Sequence, residues 1–81
     1  MTEIQVYVKN LSGETMEFTM KDNQTILDLK KMIQQNGGDE TCYQKIALPK
    51  NKIKDAQDNS KIIEFQFSKE NPFFVTFRHS G

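Results

Sequence analysis

From Ile4 to Asn10 the apolar residues Ile4, Val6 and Val8 alternate with Gln5, Tyr7 and Lys9. Successive side chains on an extended backbone point to opposite sides, so this period predicts a strand with one buried face. Met16, Phe18 and Met20 repeat the alternation against Glu17, Thr19 and Lys21. Leu11-Ser12-Gly13 separates the two runs, and Gly13 can take the positive φ that a bulged hairpin turn commonly requires. Residues 4–21 therefore predict a β-hairpin.

The period then changes. Ile26, Leu29 and Ile33 fall on one face of a helix, with Lys30, Lys31, Gln34 and Gln35 read as lying elsewhere. Thr25 is a natural N-cap, its hydroxyl placed to accept from a free backbone N–H, and Asp28 completes a capping box. Gly37-Gly38 ends the helix, since glycine enters the left-handed region without a Cβ clash. Gln44–Leu48 fits a short strand around Ile46 and Leu48, followed by turn material at Pro49-Lys50-Asn51 and an apolar point at Ile53. Residues 54–61 are polar and read as a loop. Ile62, Ile63, Phe65 and Phe67 are expected to anchor a short helical turn to the core. Phe73, Val75 and Phe77 alternate in a final strand after Pro72, which is tolerated where only an edge donor is lost. Strands flanking one amphipathic helix predict an α+β fold, with a mixed sheet packed on that helix.

Composition narrows the function. The chain has 81 residues, 36% hydrophobic and 27% charged, enough for one domain over residues 1–81 but with little core to spare. Eleven basic and eleven acidic side chains cancel, which removes the global electrostatic attraction behind non-specific nucleic-acid or anionic-membrane binding. No apolar run approaches the ~20 residues of a membrane helix, and no signal peptide is expected. A single cysteine, Cys42, forms no intramolecular disulfide and no thiolate zinc cage, in keeping with a reducing compartment.

Catalytic chemistry finds little footing. Cys42 lacks an activating base, because the one histidine, His79, lies in the tail. Asp39-Glu40 and Asp55 with Asp58 read as solvated surface charge rather than acid–base pairs. Gly37-Gly38 follows a helix instead of preceding one, so it is a cap and not a phosphate cradle. Met16 and Met20 alternate on a strand's core face and read as packing. Leu27 and Met32 fall outside the main helix face and are expected at the surface. No enzyme, cofactor or metal is expected.

The residues Ile4-Gln-Val-Tyr-Val-Lys-Asn-Leu-Ser-Gly-Glu-Thr-Met-Glu-Phe18 closely resemble the opening hairpin of the ubiquitin-like family. The similarity continues through Thr25-Ile26, Leu29, Ile33-Gln34, Lys45-Ile46 and Ile53-Lys54-Asp55. After a segment a few residues longer than the family's, between Asp55 and Phe65, it resumes at Phe67, Lys69-Glu70, Phe73, Val75 and Arg78. The resemblance implies a ubiquitin-like β-grasp fold. Val6, Val8, Met16, Phe18, Met20, Ile26, Leu29, Ile33, Ile46, Ile53, Ile62, Phe67, Phe73 and Val75 fall at positions that the family buries.

It also implies a binding surface. The family is recognised through an apolar patch on the open sheet face, and the matching positions are Leu11, Ala47, Phe74 and Thr76, with Lys9, Lys45 and Arg78 at the basic positions around it. Ala47 replaces a large isoleucine and Thr76 a valine, which shrinks the apolar area and adds a hydroxyl. Phe74, in place of a histidine, restores some of that area. The implied partner is a protein of the ubiquitin pathway or an adaptor, with an aromatic-accepting pocket rimmed by acidic groups. Phe74 covering a neighbouring strand, beside ordinary solvated cations, is the other reading.

A covalent modifier joined through Gly81 is the alternative function. One glycine stands where the family commonly displays a pair, so Gly81 is either a reactive end or the point at which a domain is cut. Lys9, Lys30 and Lys69 match family lysines, whereas Glu14, Met32, Asn36 and Asn51 occupy other lysine positions. The first expectation is a non-catalytic, monomeric interaction domain of the cytoplasm or nucleus.

Overall fold

The computed structural model describes residues 2–38, 40–49 and 54–77. Four strands, β1 (Glu3–Lys9), β2 (Thr15–Lys21), β3 (Gln44–Ala47) and β4 (Phe73–Phe77), form one sheet in the order β2-β1-β4-β3. The helix α1 (Ile26–Gln35) follows β2, and 3₁₀ turns occupy Thr41–Tyr43 and Ile62–Glu64. β1 runs parallel to β4 and antiparallel to β2, while β3 and β4 are antiparallel. The architecture is α+β, a mixed sheet packed against one helix, consistent with a β-grasp fold.

The hairpin forms in the expected register, Val6 opposite Phe18 and Val8 opposite Met16, with Gly13 at φ +88°. At the helix start the Thr25 hydroxyl accepts from Asp28 N–H and the Asp28 carboxylate accepts from Thr25 N–H at 2.9 Å. Two further N–H groups of the first turn, on Ile26 and Leu27, donate to the carbonyls of Ser60 and Asp58. The helix N-terminus is thus closed by the chain itself, and its orphan donors are satisfied. At the other end Gly38 N–H bonds to Ile33 C=O and Gly37 N–H to Gln34 C=O, the paired bonds of a Schellman cap. Gly37 lies at φ +98°, and a Cβ on Gly38 would meet Ile33 Cγ2 at 2.7 Å. Both glycines are therefore required, for different reasons.

Val6, Val8, Met20, Ile26, Leu29, Ile33, Ile46, Ile62, Phe73 and Val75 are essentially inaccessible. Phe73 is the largest of them, with Phe65 edge-on at 5.8 Å and Phe67 tilted at 5.1 Å between ring centroids. Met16 and Phe67, expected in the core, pack against it half-buried, and Ile53 lies outside the described residues.

Several expectations are corrected. Ile63 is 55% exposed and anchors nothing, because successive residues of a 3₁₀ turn point about a third of a circle apart and Ile62 takes the inward direction. Lys30 is buried rather than displaced from the apolar face: it stands four residues after Ile26 and three before Ile33, so the helix carries it inward. Asp58 is no free surface charge but accepts an ion pair from Lys30 Nζ at 2.6 Å. Residues 54–61 are more than a polar loop. Ala56 is buried and its N–H donates to Ile46 C=O at 2.7 Å, Asp55 bridges to Ala47, and Lys61 bridges to Thr25. Leu27 and Met32 are half-buried, and Met32 packs against the core.

Candidate protein-binding face

In β1, β3 and β4 the residues that alternate with the core residues face away from the helix. Register decides which of them meet. Lys9 is opposite Phe74 across the β1–β4 pair, Phe74 is opposite Ala47 across the β4–β3 pair, and Thr76 is opposite Lys45 one step along. Five of the residues expected at the interface thus converge, although they come from three separate stretches of chain. Leu11 projects from the β1–β2 turn and is 81% exposed. Arg78 and Gly81 lie outside the described residues.

The members of this face differ in what they offer. Phe74 is half-buried and stands between Lys9 and Ala47, with an aromatic ring as its contact group. Ala47 is only 9% exposed. It lies between Phe74 and the bridging residue Asp55, so its methyl adds little accessible area. Lys45 Nζ is 3.3 Å from the Asp55 carboxylate, with both side chains about two-fifths exposed. Asp55 thus already holds that cation, whereas Leu11 and Phe74 present apolar groups on the turn and the outer face.

Sequence reading did not single out Gln44. It is buried at the start of β3, in phase with Ile46, and its Nε2 donates to the carbonyl of Lys30 at 2.8 Å. That bond ties the helix to β3, the strand that carries Lys45 and Ala47. The period-two phase with Ile46 was the available signal, masked by its polarity.

Cys42 lies exposed in the 3₁₀ turn, its thiol donating to the Glu40 carboxylate at 3.8 Å. His79 and Asp39 lie outside the described residues. Among the described residues no group of three or more His, Cys, Asp or Glu side chains is placed to hold a metal ion, and no helix is long and apolar enough to cross a membrane. No family model and no curated protein matches this chain.

Proposed function

We propose that this chain is a ubiquitin-like protein-interaction domain that recruits a partner through the outer sheet face around Phe74. The observation that carries this reading is the cross-strand row Lys9–Phe74–Ala47, with Lys45 and Thr76 alongside and Leu11 exposed at the hairpin tip. An aromatic group beside apolar neighbours and rim cations is the composition that anchors protein interfaces. The resemblance of the hairpin to the ubiquitin-like family supports the same face. The partner it fits is a protein of the ubiquitin pathway or an adaptor, in the cytoplasm or nucleus, presenting an apolar pocket rimmed by carboxylates. The covalent-modifier reading rests on Gly81, outside the described residues, and gains nothing from the fold.

The test is affinity capture from source-cell lysate with the wild-type chain and with Phe74→Ala, washed in native buffer and then in denaturant. The expected result is a partner that dissociates in denaturant and is lost with Phe74→Ala while the variant stays folded. Retention of every partner by Phe74→Ala, or adducts that survive denaturant and vanish when Gly81 is altered, would sink the proposal.

A further inference from the structure

The two edges of the sheet are finished differently. Along β3 the outer side is covered: Asp55 bridges to Ala47, Ala56 N–H donates to Ile46 C=O, and Leu48 N–H donates to Lys54 C=O. β2 is the terminal strand at the other edge, seven residues long, with no proline and no bulge in its register with β1.

Which of its backbone groups face outward follows from the ladder. Asn10 N–H donates to Glu14 C=O at one end of the hairpin and Asp22 N–H to Thr2 C=O at the other. Hydrogen-bonded pairs recur at every second residue in an antiparallel ladder, so Met16, Phe18 and Met20 bond to β1. Thr15, Glu17, Thr19 and Lys21 direct their N–H and C=O groups away from it. Lys21 agrees, since its N–H is taken by the Gln24 side chain at 2.7 Å and its C=O accepts from Gln24 N–H at 3.0 Å, neither being used by β1. The same four residues have exposed side chains on the outer face.

We propose that this edge pairs antiparallel with the β2 edge of a second copy, Thr19 on the twofold axis and Glu17 opposite Lys21 of the second copy. A twofold operation matches each residue with one whose number sums with its own to a constant, so the candidate registers can be enumerated. Centring the axis on Glu17 or on Lys21 sets like charges face to face. Centring it on Thr15 sets only threonine on threonine within the strand, on Met16 pairs Thr15 with Glu17, on Phe18 pairs Glu17 with Thr19 and Thr15 with Lys21, and on Met20 pairs Thr19 with Lys21; none matches charges. Centring it on Thr19 alone brings Glu17 and Lys21 together, twice by symmetry, with Thr19 against Thr19. Opposite charges directly across a ladder stabilise it, and like charges oppose it. Glu3 already lies opposite Lys21 within the hairpin, so the joined sheets carry a row Glu3, Lys21 and then Glu17 of the second copy. Pairing exchanges the Gln24 side-chain bond for a ladder bond at the Lys21 N–H, while the Lys21 C=O, which already accepts from Gln24 N–H at 3.0 Å, takes the ladder N–H on its second lone pair.

The charges on β2 therefore act in two ways. They discourage indiscriminate strand addition, the usual hazard of an open edge, and they leave one self-complementary register. The chain read from sequence as a monomer is assigned a weak twofold dimer, since a contact confined to a single strand edge falls at the small end of interface sizes.

Sedimentation velocity over a concentration series up to about 1 mM tests this, a range matched to weak association. The wild-type chain is expected to shift reversibly from monomer to dimer, with concentration-dependent amide shifts at Glu17, Thr19 and Lys21. Glu17→Lys or Lys21→Glu alone is expected to weaken the dimer by about tenfold or more, through two like-charge pairs. An equimolar mixture of the two variants restores opposite charges in both pairs and is expected to recover it. Phe74→Ala is expected to leave it unchanged, which separates this edge from the outer-face interface. A wild-type chain that stays monomeric throughout, a dimer indifferent to both charge variants, a dimer lost with Phe74→Ala, or an edge that takes up an unrelated extended peptide without pairing with itself would each overturn the proposal.

Discussion

Phe73 and Phe74 are neighbours in β4, yet Phe73 is fully buried beneath the helix with two aromatic rings against it, while Phe74 is half-buried on the open face between Lys9 and Ala47. The alternation of the strand is the whole cause of the difference. On the inner face side-chain volume and shape hold the fold together. On the outer face the same type of side chain adds contact area that a partner can bury. The comparison teaches that in so small a chain the two sides of the same strands carry different loads: packing on the inner side and, on the function proposed above, recognition on the outer.

The sharpest way to break the comparison is to truncate each phenylalanine in turn. Phe73→Ala is expected to cost about 3–5 kcal/mol in denaturant unfolding, from lost transfer energy and the cavity left among Phe65, Phe67 and the core. That is a large share of the stability of a small domain. Phe74→Ala is expected to cost about 1 kcal/mol or less while abolishing partner capture. Equal stability losses from the two would show that Phe74 is part of the core.

The Lys30–Asp58 pair offers a second, smaller test. Lys30 has 10% of its side chain exposed, whereas Asp58 has 54%. Asp58→Ala leaves a nearly buried ammonium without its carboxylate, at an expected cost of about 1.5–3 kcal/mol, held below that of a fully buried pair by water at the aspartate end. Lys30→Met, which keeps the stem and removes the charge, is expected to cost less. Thermal or denaturant unfolding of both variants checks the order, and the reverse order would mean that the ammonium itself stabilises the fold.

The smallest effect is expected at the exposed Lys45–Asp55 pair. Asp55→Ala should change stability by at most about 1 kcal/mol, since both partners are solvated and salt screens them. It frees Lys45 for an acidic partner, so outer-face binding is expected to tighten slightly at low ionic strength. Titration of the captured partner at two salt concentrations checks this, and weaker binding would mean that Asp55 is itself a contact.

Much of this was legible in the order of residues. The two alternating runs, Gly13 between them, Thr25 with Asp28 and the terminal glycine pair each act over a few neighbouring residues, and each formed as its local chemistry requires. The outer-face positions Lys9, Lys45, Ala47, Phe74 and Thr76 could be named from resemblance, but their alignment in adjacent rows is a property of strand register. Ala47 illustrates the gap. Its position was legible, whereas its burial depends on the return of residues 54–56 alongside β3.

What the sequence by itself determined is therefore the four strands and the helix and which side of each is apolar, because periodicity and capping are written in residues two to four apart. Tertiary structure decided that Lys30 meets Asp58, twenty-eight positions away, that Ile62 points inward and Ile63 outward, and that one sheet edge is covered while, among the described residues, the other is not. These depend on the path of the chain between elements. Local propensity leaves that path open, and the packing of the whole core selects it.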